Sequence, residues 1–154
     1  MDPTRIELFQ AMPLFGGLNN ATIELLAGDA QQRDLPAGDF FCHQGDPGDE
    51  LFVLERGRVA VRRHVGGGEM TLRFLGPGDC FGEMALVDLT PRSASIVAVE
   101  DSRALVLPVA RLHALYEQDL EQFALIQMNM AREMSRRLRV AMERLGAVYE
   151  MMMT

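Results

Sequence analysis

The fold of this chain is constrained most by a series of short apolar or alternating runs between residues 30 and 108. Turn-forming Gly, Pro and Asp residues separate the runs, as in residues 45–49 and 76–79. Short strands punctuated in this way indicate a β-sandwich or barrel. We therefore predict a mainly-β fold, a double-stranded β-helix (jelly-roll) barrel over residues 30–108. The predicted strands are Phe40–His43, Leu51–Arg56, Val59–Val65, Met70–Leu75, Ala94–Val99 and Ala104–Leu107.

Helical patterns flank this barrel on both sides. Residues 5–12 and 19–29 have the spacing of short helices, with Asn20 as a candidate N-cap, which defines an N-terminal helical segment over 1–29. After Pro108, a short helix is predicted over 110–117. Asp119, with Gln122 three residues later, has the pattern of a capping box that opens a long helix. We expect these C-terminal helices, residues 109–154, to belong to the same single domain.

The long C-terminal helix carries an apolar seam with alternating spacings of three and four. Such a heptad seam favours a coiled coil with a second copy of the helix. The alternative is an amphipathic helix that packs only on its own domain. We expect a homodimer through the 119–150 helix, since the seam continues beyond any contact with the barrel. The seam residues are Ala131, Met134, Leu138, Ala141, Leu145, Val148 and Met152.

Composition excludes several classes of function. The formal net charge is −7, and every basic residue is an arginine. A nucleic-acid partner is not expected, because binding to phosphate backbones needs a basic face. The first fifteen residues lack the pattern of a secretory signal, and no apolar run is long enough to span a membrane. We therefore expect a cytoplasmic protein with no membrane contact.

A metal site is also not expected. Cys42 and Cys80 are the only cysteines, and they are interpreted as reduced, buried thiols. The three histidines are far apart in the sequence, at positions 43, 64 and 113. Metal-dependent enzymes built on similar barrels need clustered imidazole and carboxylate ligands. A cupin-like metal enzyme is therefore the least favoured alternative, and we expect no enzyme and no metal.

The segment over residues 81–94 contains the side chains that we expect to bind a ligand. We predict a strand, a short helix that begins near Glu83, a loop and a return strand. Backbone N–H groups at a helix start attract anions, and Gly82 lets the backbone approach a phosphate closely. Arg92 offers a two-pronged guanidinium for phosphate oxygens. Ser93 adds a hydroxyl donor, and the small Ala94 leaves room.

Glu83 changes the expected ligand from a simple anion to a nucleotide. A carboxylate in a phosphate site is useful when the ligand also presents a hydroxyl, such as the ribose 2′-OH. A 3′,5′-cyclic nucleotide keeps only that sugar hydroxyl free. The alternative is that Glu83 and Arg92 form an ordinary ion pair and that Gly82 serves a turn.

With these motifs the chain resembles the cyclic-nucleotide-binding domain family, which includes catabolite activator proteins and protein kinase A regulatory subunits. The resemblance covers nearly the whole chain and is most specific at residues 76–83 and 90–94. It implies that the phosphate is surrounded by Gly82, Met84 and Ala85. It also implies that Arg92, with Ser93 or Ala94, completes the phosphate-binding site, and that Glu83 binds the ribose. It also implies base contacts from Val61, Leu72, Arg73 and Arg137.

The resemblance further implies the ligand and the output. Cyclic AMP is the expected ligand, because it is the frequent one in the family, and cyclic GMP is the alternative. Signalling is expected through rearrangement of the C-terminal helix, which acts as a lid or a dimerisation element, towards a downstream protein that the sequence does not identify. The chain is expected to be a free-standing receptor. The alternative is the sensor domain of a transcription regulator without its DNA-binding part. No cofactor is expected beyond the nucleotide ligand.

Overall fold

The computed structural model describes residues 1–83 and 91–154. Its helices are α1 (Pro3–Ala11), a 3₁₀ helix (Pro13–Phe15), α2 (Asn20–Ala27), α3 (Val109–Gln118) and α4 (Leu120–Met153). Its strands are β1 (Gln31–Leu35), β2 (Phe40–Cys42), β3 (Glu50–Arg56), β4 (Val59–Val65), β5 (Gly68–Leu75), β6 (Cys80–Phe81), β7 (Ser95–Ala98) and β8 (Ser102–Pro108).

The strands form two antiparallel sheets that pack face to face. One sheet has the order β1-β8-β3-β6, and the other has the order β2-β7-β4-β5. Side chains from both sheets meet in one apolar core, with Phe52 and Phe81 from the first sheet stacked at 5.0 Å between ring centroids. The predicted mainly-β jelly-roll architecture with flanking helices is therefore confirmed.

A second core lies on the outer face of the first sheet. Because side chains alternate along a strand, Phe52 and Leu54 of β3 face the core between the sheets, whereas Leu51 and Val53 face the helices. The helices cover that outer face, and Ile126 of α4 is almost completely buried there. Both faces of β3 are thus buried, which explains its nearly continuous apolar sequence.

Helix α4 has two parts with different surroundings. In its first part, Met130 is buried, and the side-chain amide of Asn129 donates hydrogen bonds to the carbonyl oxygens of Leu14 (3.1 Å) and Gly16 (2.8 Å). From Leu138 onward the apolar side chains of the seam are exposed to solvent. The first part is therefore fixed to the N-terminal segment, whereas the second part lies beside β5 with most of its surface exposed to solvent.

Several local predictions were wrong for identifiable reasons. Asn19, and not Asn20, caps α2, because its side chain accepts a hydrogen bond from the Thr22 amide. Asp119 does cap α4, but the side chain of Gln122 accepts from the Asn19 amide rather than completing a capping box. Cys42 is only half-buried.

One strand was also missed. β1 lies at a sheet edge and most of its residues are polar, so it has no apolar alternation. The strand predicted at the start of the 81–94 segment is present as β6, which has only two residues. Within residues 1–83 and 91–154, none of the helices combines the length and hydropathy that a bilayer-spanning segment needs.

Candidate ligand-binding site

A cavity opens beside Gly82 and Arg92, at the end of the second sheet. It holds about 450 Å³ of unfilled space, including its mouth. Met84 and Ala85 lie outside the described residues, and so does the short helix predicted after Glu83. The predicted site residues that line the cavity are Val61, Arg73, Gly82, Glu83, Arg92, Ser93 and Ala94.

Arg92 is a buried cation in this cavity, and only 7% of its surface is exposed. Its guanidinium donates hydrogen bonds to the carbonyl oxygens of Gly82 (3.2 Å) and Glu50 (3.0 Å). Its Nε–H is buried and has no hydrogen-bond partner within residues 1–83 and 91–154. No carboxylate of the described residues forms an ion pair with it. A buried charge without a counterion is costly, so this arrangement favours an anionic ligand.

Two glycines allow the guanidinium of Arg92 to occupy its position. A β-carbon added at Gly48 would lie 2.1 Å from Nε of Arg92, and one added at Gly82 would lie 2.5 Å from Nη1. Gly82 also has a φ of 88°, in the left-handed region that favours glycine. The backbone at these two positions therefore approaches the cation more closely than any side chain would permit.

Hydrogen bonds hold the backbone of residues 92–93 from two sides. The Arg92 amide donates to the Asp46 carbonyl (2.7 Å), and the Gly45 amide donates to the Arg92 carbonyl (2.8 Å). On the other side, Arg63 of β4 donates to the Ser93 carbonyl (2.7 Å). Arg92 and Ser93 are therefore attached to the barrel rather than carried on a free loop.

Glu83 lines the same cavity. The alternative interpretation required an ion pair between Glu83 and Arg92, but Glu83 pairs with a different arginine. It forms an ion pair with Arg137 of α4, and only 6% of its surface is exposed. Arg137 also contacts Glu133 (Nε to Oε1, 3.3 Å) and donates to the Cys80 carbonyl (3.1 Å). Within the described residues, the long helix is therefore linked directly to the predicted ribose-binding carboxylate.

A larger groove lies beside the cavity, between β5 and α4, with about 1290 Å³ of unfilled space including its open side. Leu72 and Arg137 line this groove and not the cavity, whereas Arg73 lines both. A β-bulge at Leu72 shifts the register between β4 and β5, which changes the direction of neighbouring side chains. Arg144 of α4 donates to the Leu72 carbonyl on the free edge of β5.

The electrostatics of this region are dominated by arginines. Burial lowers the pKa of Arg73, and the nearby Arg144 lowers it further. Burial also lowers the pKa of Arg137, with a smaller contribution from Arg73. Burial raises the pKa of the Cys80 thiol to about 12, so this cysteine is a neutral packing residue and not a reactive one.

Sequence reasoning missed several contributors to the site. Gly48 and the Glu50 carbonyl place Arg92, while Arg63 and Arg144 bind backbone carbonyls beside the cavity and groove. Gly48 lies within the predicted turn at 45–49, and this was the one signal available in the sequence. Across residues 1–83 and 91–154, no cluster of three His, Cys, Asp or Glu residues could hold a metal ion.

Comparisons with known proteins show the family of the chain. A profile described as the cyclic nucleotide-binding domain matches residues 32–119. The chain belongs to the cyclic nucleotide-binding domain family. It is 41% identical over 134 residues to the Cyclic AMP receptor protein of Thermus thermophilus, and the match covers 84% of this chain and 58% of that protein. The chain thus spans little more than half of that relative.

The chain is also similar to solved structures. The Thermus thermophilus Catabolite Activator Protein has a TM-score of 0.75 and 41% identity, covering 88% of this chain and 62% of the other. A cyclic nucleotide-binding domain from Methylobacillus flagellatus has a TM-score of 0.79 and 28% identity, covering 90% of this chain and 78% of the other.

Proposed function

We propose that this chain is a receptor for a 3′,5′-cyclic nucleotide, with cyclic AMP as its ligand. One observation carries the proposal: the guanidinium of Arg92 is buried in a cavity, without a carboxylate partner among the described residues. A cyclic phosphate supplies the missing negative charge and the acceptor oxygens. Charge-assisted, two-pronged bonds of this kind are among the strongest hydrogen bonds in proteins.

The other residues of the site each contact a different part of the nucleotide. Gly82, Met84, Ala85, Ser93 and Ala94 surround the phosphate. Glu83 accepts a hydrogen bond from the ribose 2′-OH and keeps its contact with Arg137. The base extends past Val61 towards the groove, where Leu72, Arg73 and Arg137 contact it.

The choice of cyclic AMP follows from the relatives. The Thermus thermophilus relative is named as a cyclic AMP receptor, and a Mycobacterium tuberculosis relative with 31% identity is named as a cAMP-activated global transcriptional regulator. The phosphate and ribose contacts are common to all 3′,5′-cyclic nucleotides. The choice between bases therefore depends on the groove.

The output is a change in the position of α4. Ligand bound at Glu83 acts on Arg137, and through it on the helix, whose apolar seam forms a homodimer through residues 119–150. A ligand shifts such an equilibrium only by binding one arrangement more tightly than the other. The receptor acts in the cytoplasm on a downstream protein, without catalysis and without direct contact with nucleic acid.

Thermal unfolding with added nucleotides tests the proposal. The protein is first unfolded and refolded so that no ligand is carried over. A ligand at ~100 times its Kd stabilises the folded state by ~2.7 kcal/mol. For a chain of this size that is a rise of roughly 5–10 °C in Tm. Cyclic AMP should produce the rise and 5′-AMP should not, whereas no rise with either cyclic AMP or cyclic GMP would contradict the proposal.

A further inference from the structure

Arg63 continues the core-facing side of β4 with a charged residue. Because side chains alternate along a strand, Arg63 shares its face with Val59 and Val61, which are buried in the core between the sheets. The pairing of β4 with β7 ends at Arg62 and Ser95, one residue before Arg63. The side chain of Arg63 therefore lies beside the chain that leads into β7 and not beside a paired strand.

The guanidinium of Arg63 binds backbone rather than an acid. Its Nη1 donates to the Ser93 carbonyl at 2.7 Å, and none of the ion pairs formed within residues 1–83 and 91–154 includes Arg63. Gln44 makes a second link nearby, since its side chain accepts from the His64 amide (2.7 Å) and its amide donates to the Ser95 hydroxyl (2.9 Å). The end of β4 is thus attached to residues 93–95 at two places.

The bond from Arg63 fixes the plane of the peptide between Ser93 and Ala94. The peptide bonds of the described residues are trans, so the Ala94 N–H points away from the Ser93 carbonyl and hence away from Arg63. Ser93 and Ala94 line the cavity that contains Arg92, whereas Arg63 does not. The side of this peptide opposite to Arg63 is therefore the side that a ligand in the cavity can reach.

We infer that Arg63 is a positioning residue for the phosphate-binding site. It holds the peptide between Ser93 and Ala94 so that the Ala94 N–H is directed at an exocyclic oxygen of the bound phosphate. Because hydrogen bonds in a chain polarise one another, the cation at the carbonyl also makes this N–H a stronger donor. The inference rests on the proposed function, since it assumes that the phosphate occupies the cavity beside Arg92.

The test begins with calorimetric titration of cyclic AMP into refolded wild type and three variants. Arg63→Met removes the donor, and the Kd should rise about three- to tenfold. Arg63→Lys keeps a charged donor and should bind more tightly than Arg63→Met. Arg62→Met removes the same charge from the other face of β4 and should leave the Kd unchanged. Arg63 is exposed, so these changes should not unfold the domain.

The two phosphorothioate diastereomers of cyclic AMP then separate a positioning role from a general loss of charge. Each replaces a different exocyclic oxygen by sulfur, which is a weaker hydrogen-bond acceptor. With sulfur at the oxygen that faces the Ala94 N–H, Arg63→Met should cost little affinity. The other diastereomer should lose as much affinity as cyclic AMP does.

Three results would overturn the inference. They are an unchanged Kd of cyclic AMP for Arg63→Met, the same loss for Arg62→Met, or an equal loss for the two diastereomers. Absence of binding of either cyclic AMP or cyclic GMP to the wild type would instead contradict the proposed function.

Discussion

Glu83 and Arg137 form an ion pair that joins the wall of the Arg92 cavity to the long C-terminal helix. Both side chains are largely withdrawn from solvent, which strengthens their interaction relative to a surface pair. Glu83 also lines the cavity that contains Arg92. A ligand hydroxyl bound to this carboxylate therefore contacts the residue that holds the helix.

Glu83→Gln should weaken cyclic AMP binding, because the 2′-OH then donates to a neutral oxygen. A hydrogen bond to a charged group contributes about 1.5–3 kcal/mol, or roughly 10- to 150-fold in Kd. The measurement is the Kd of cyclic AMP and of 2′-deoxy cyclic AMP, each determined for the wild type and for Glu83→Gln. The wild type should lose affinity for the deoxy ligand, and the variant should lose much less. An equal loss on both proteins would show that Glu83 does not hold the ribose.

Gly48→Ala should weaken nucleotide binding without any change of charge. The new β-carbon would lie 2.1 Å from Nε of Arg92, so the guanidinium must move away from its seat. We expect the Kd to rise by about tenfold or more, since the strongest contacts of the phosphate are displaced. Gly67→Ala is the matched control, because an added β-carbon there meets nothing within 4 Å. Equal affinities of the two variants would show that this close approach is unimportant.

The exposed seam of α4 should hold two copies of the chain together. Sedimentation of the wild type should give about 34 kDa, twice the 17.1 kDa of one chain. The double variant Leu138→Glu with Leu145→Glu places charge in the seam and should sediment as a monomer. Met142→Glu changes an exposed residue outside the seam and should remain dimeric. A wild type that stays near 17 kDa at high concentration would rule out the dimer.

Stability at alkaline pH should depend on Cys80. Burial raises its pKa from 9.0 to about 12, so between these values the unfolded chain loses the thiol proton that the folded chain keeps. The free energy of unfolding therefore falls as pH rises, by up to about 1.4 kcal/mol per pH unit for this proton. Denaturant unfolding between pH 9 and 11 should show a steeper fall for the wild type than for Cys80→Ala. Parallel pH profiles would indicate that Cys80 ionises normally in the folded protein.

The sequence predicted those strands that are strongly apolar and bounded by turn residues. β3, β4 and β8 carry strong apolar patterns, and they form the centres of the two sheets. β1 escaped detection because an edge strand with polar residues on both faces has no such pattern. Asn20 was chosen over Asn19 as the cap because adjacent cap-forming residues cannot be distinguished before the backbone is known.

The candidate site was predictable where it depends on side-chain type. Arg92 and Glu83 were selected by their chemistry, and they do line one cavity. The parts that depend on three-dimensional approach were not predictable, such as the Glu50 carbonyl that accepts from Arg92. The pairing of Glu83 with Arg137 was also missed, because it joins distant parts of the chain through the packing of α4 on the barrel.

Arg92 is a buried cation, and we propose that it binds the phosphate of a cyclic nucleotide. Calorimetric titration of cyclic AMP and cyclic GMP into refolded wild type and Arg92→Met tests it most directly, with the exposed Arg132→Met as the control for charge. We expect one nucleotide to bind per chain of the wild type and of the control. Arg92→Met should bind about 10- to 150-fold more weakly, since it loses charge-assisted hydrogen bonds. Absence of binding to the wild type, or undiminished binding to Arg92→Met, would contradict the account.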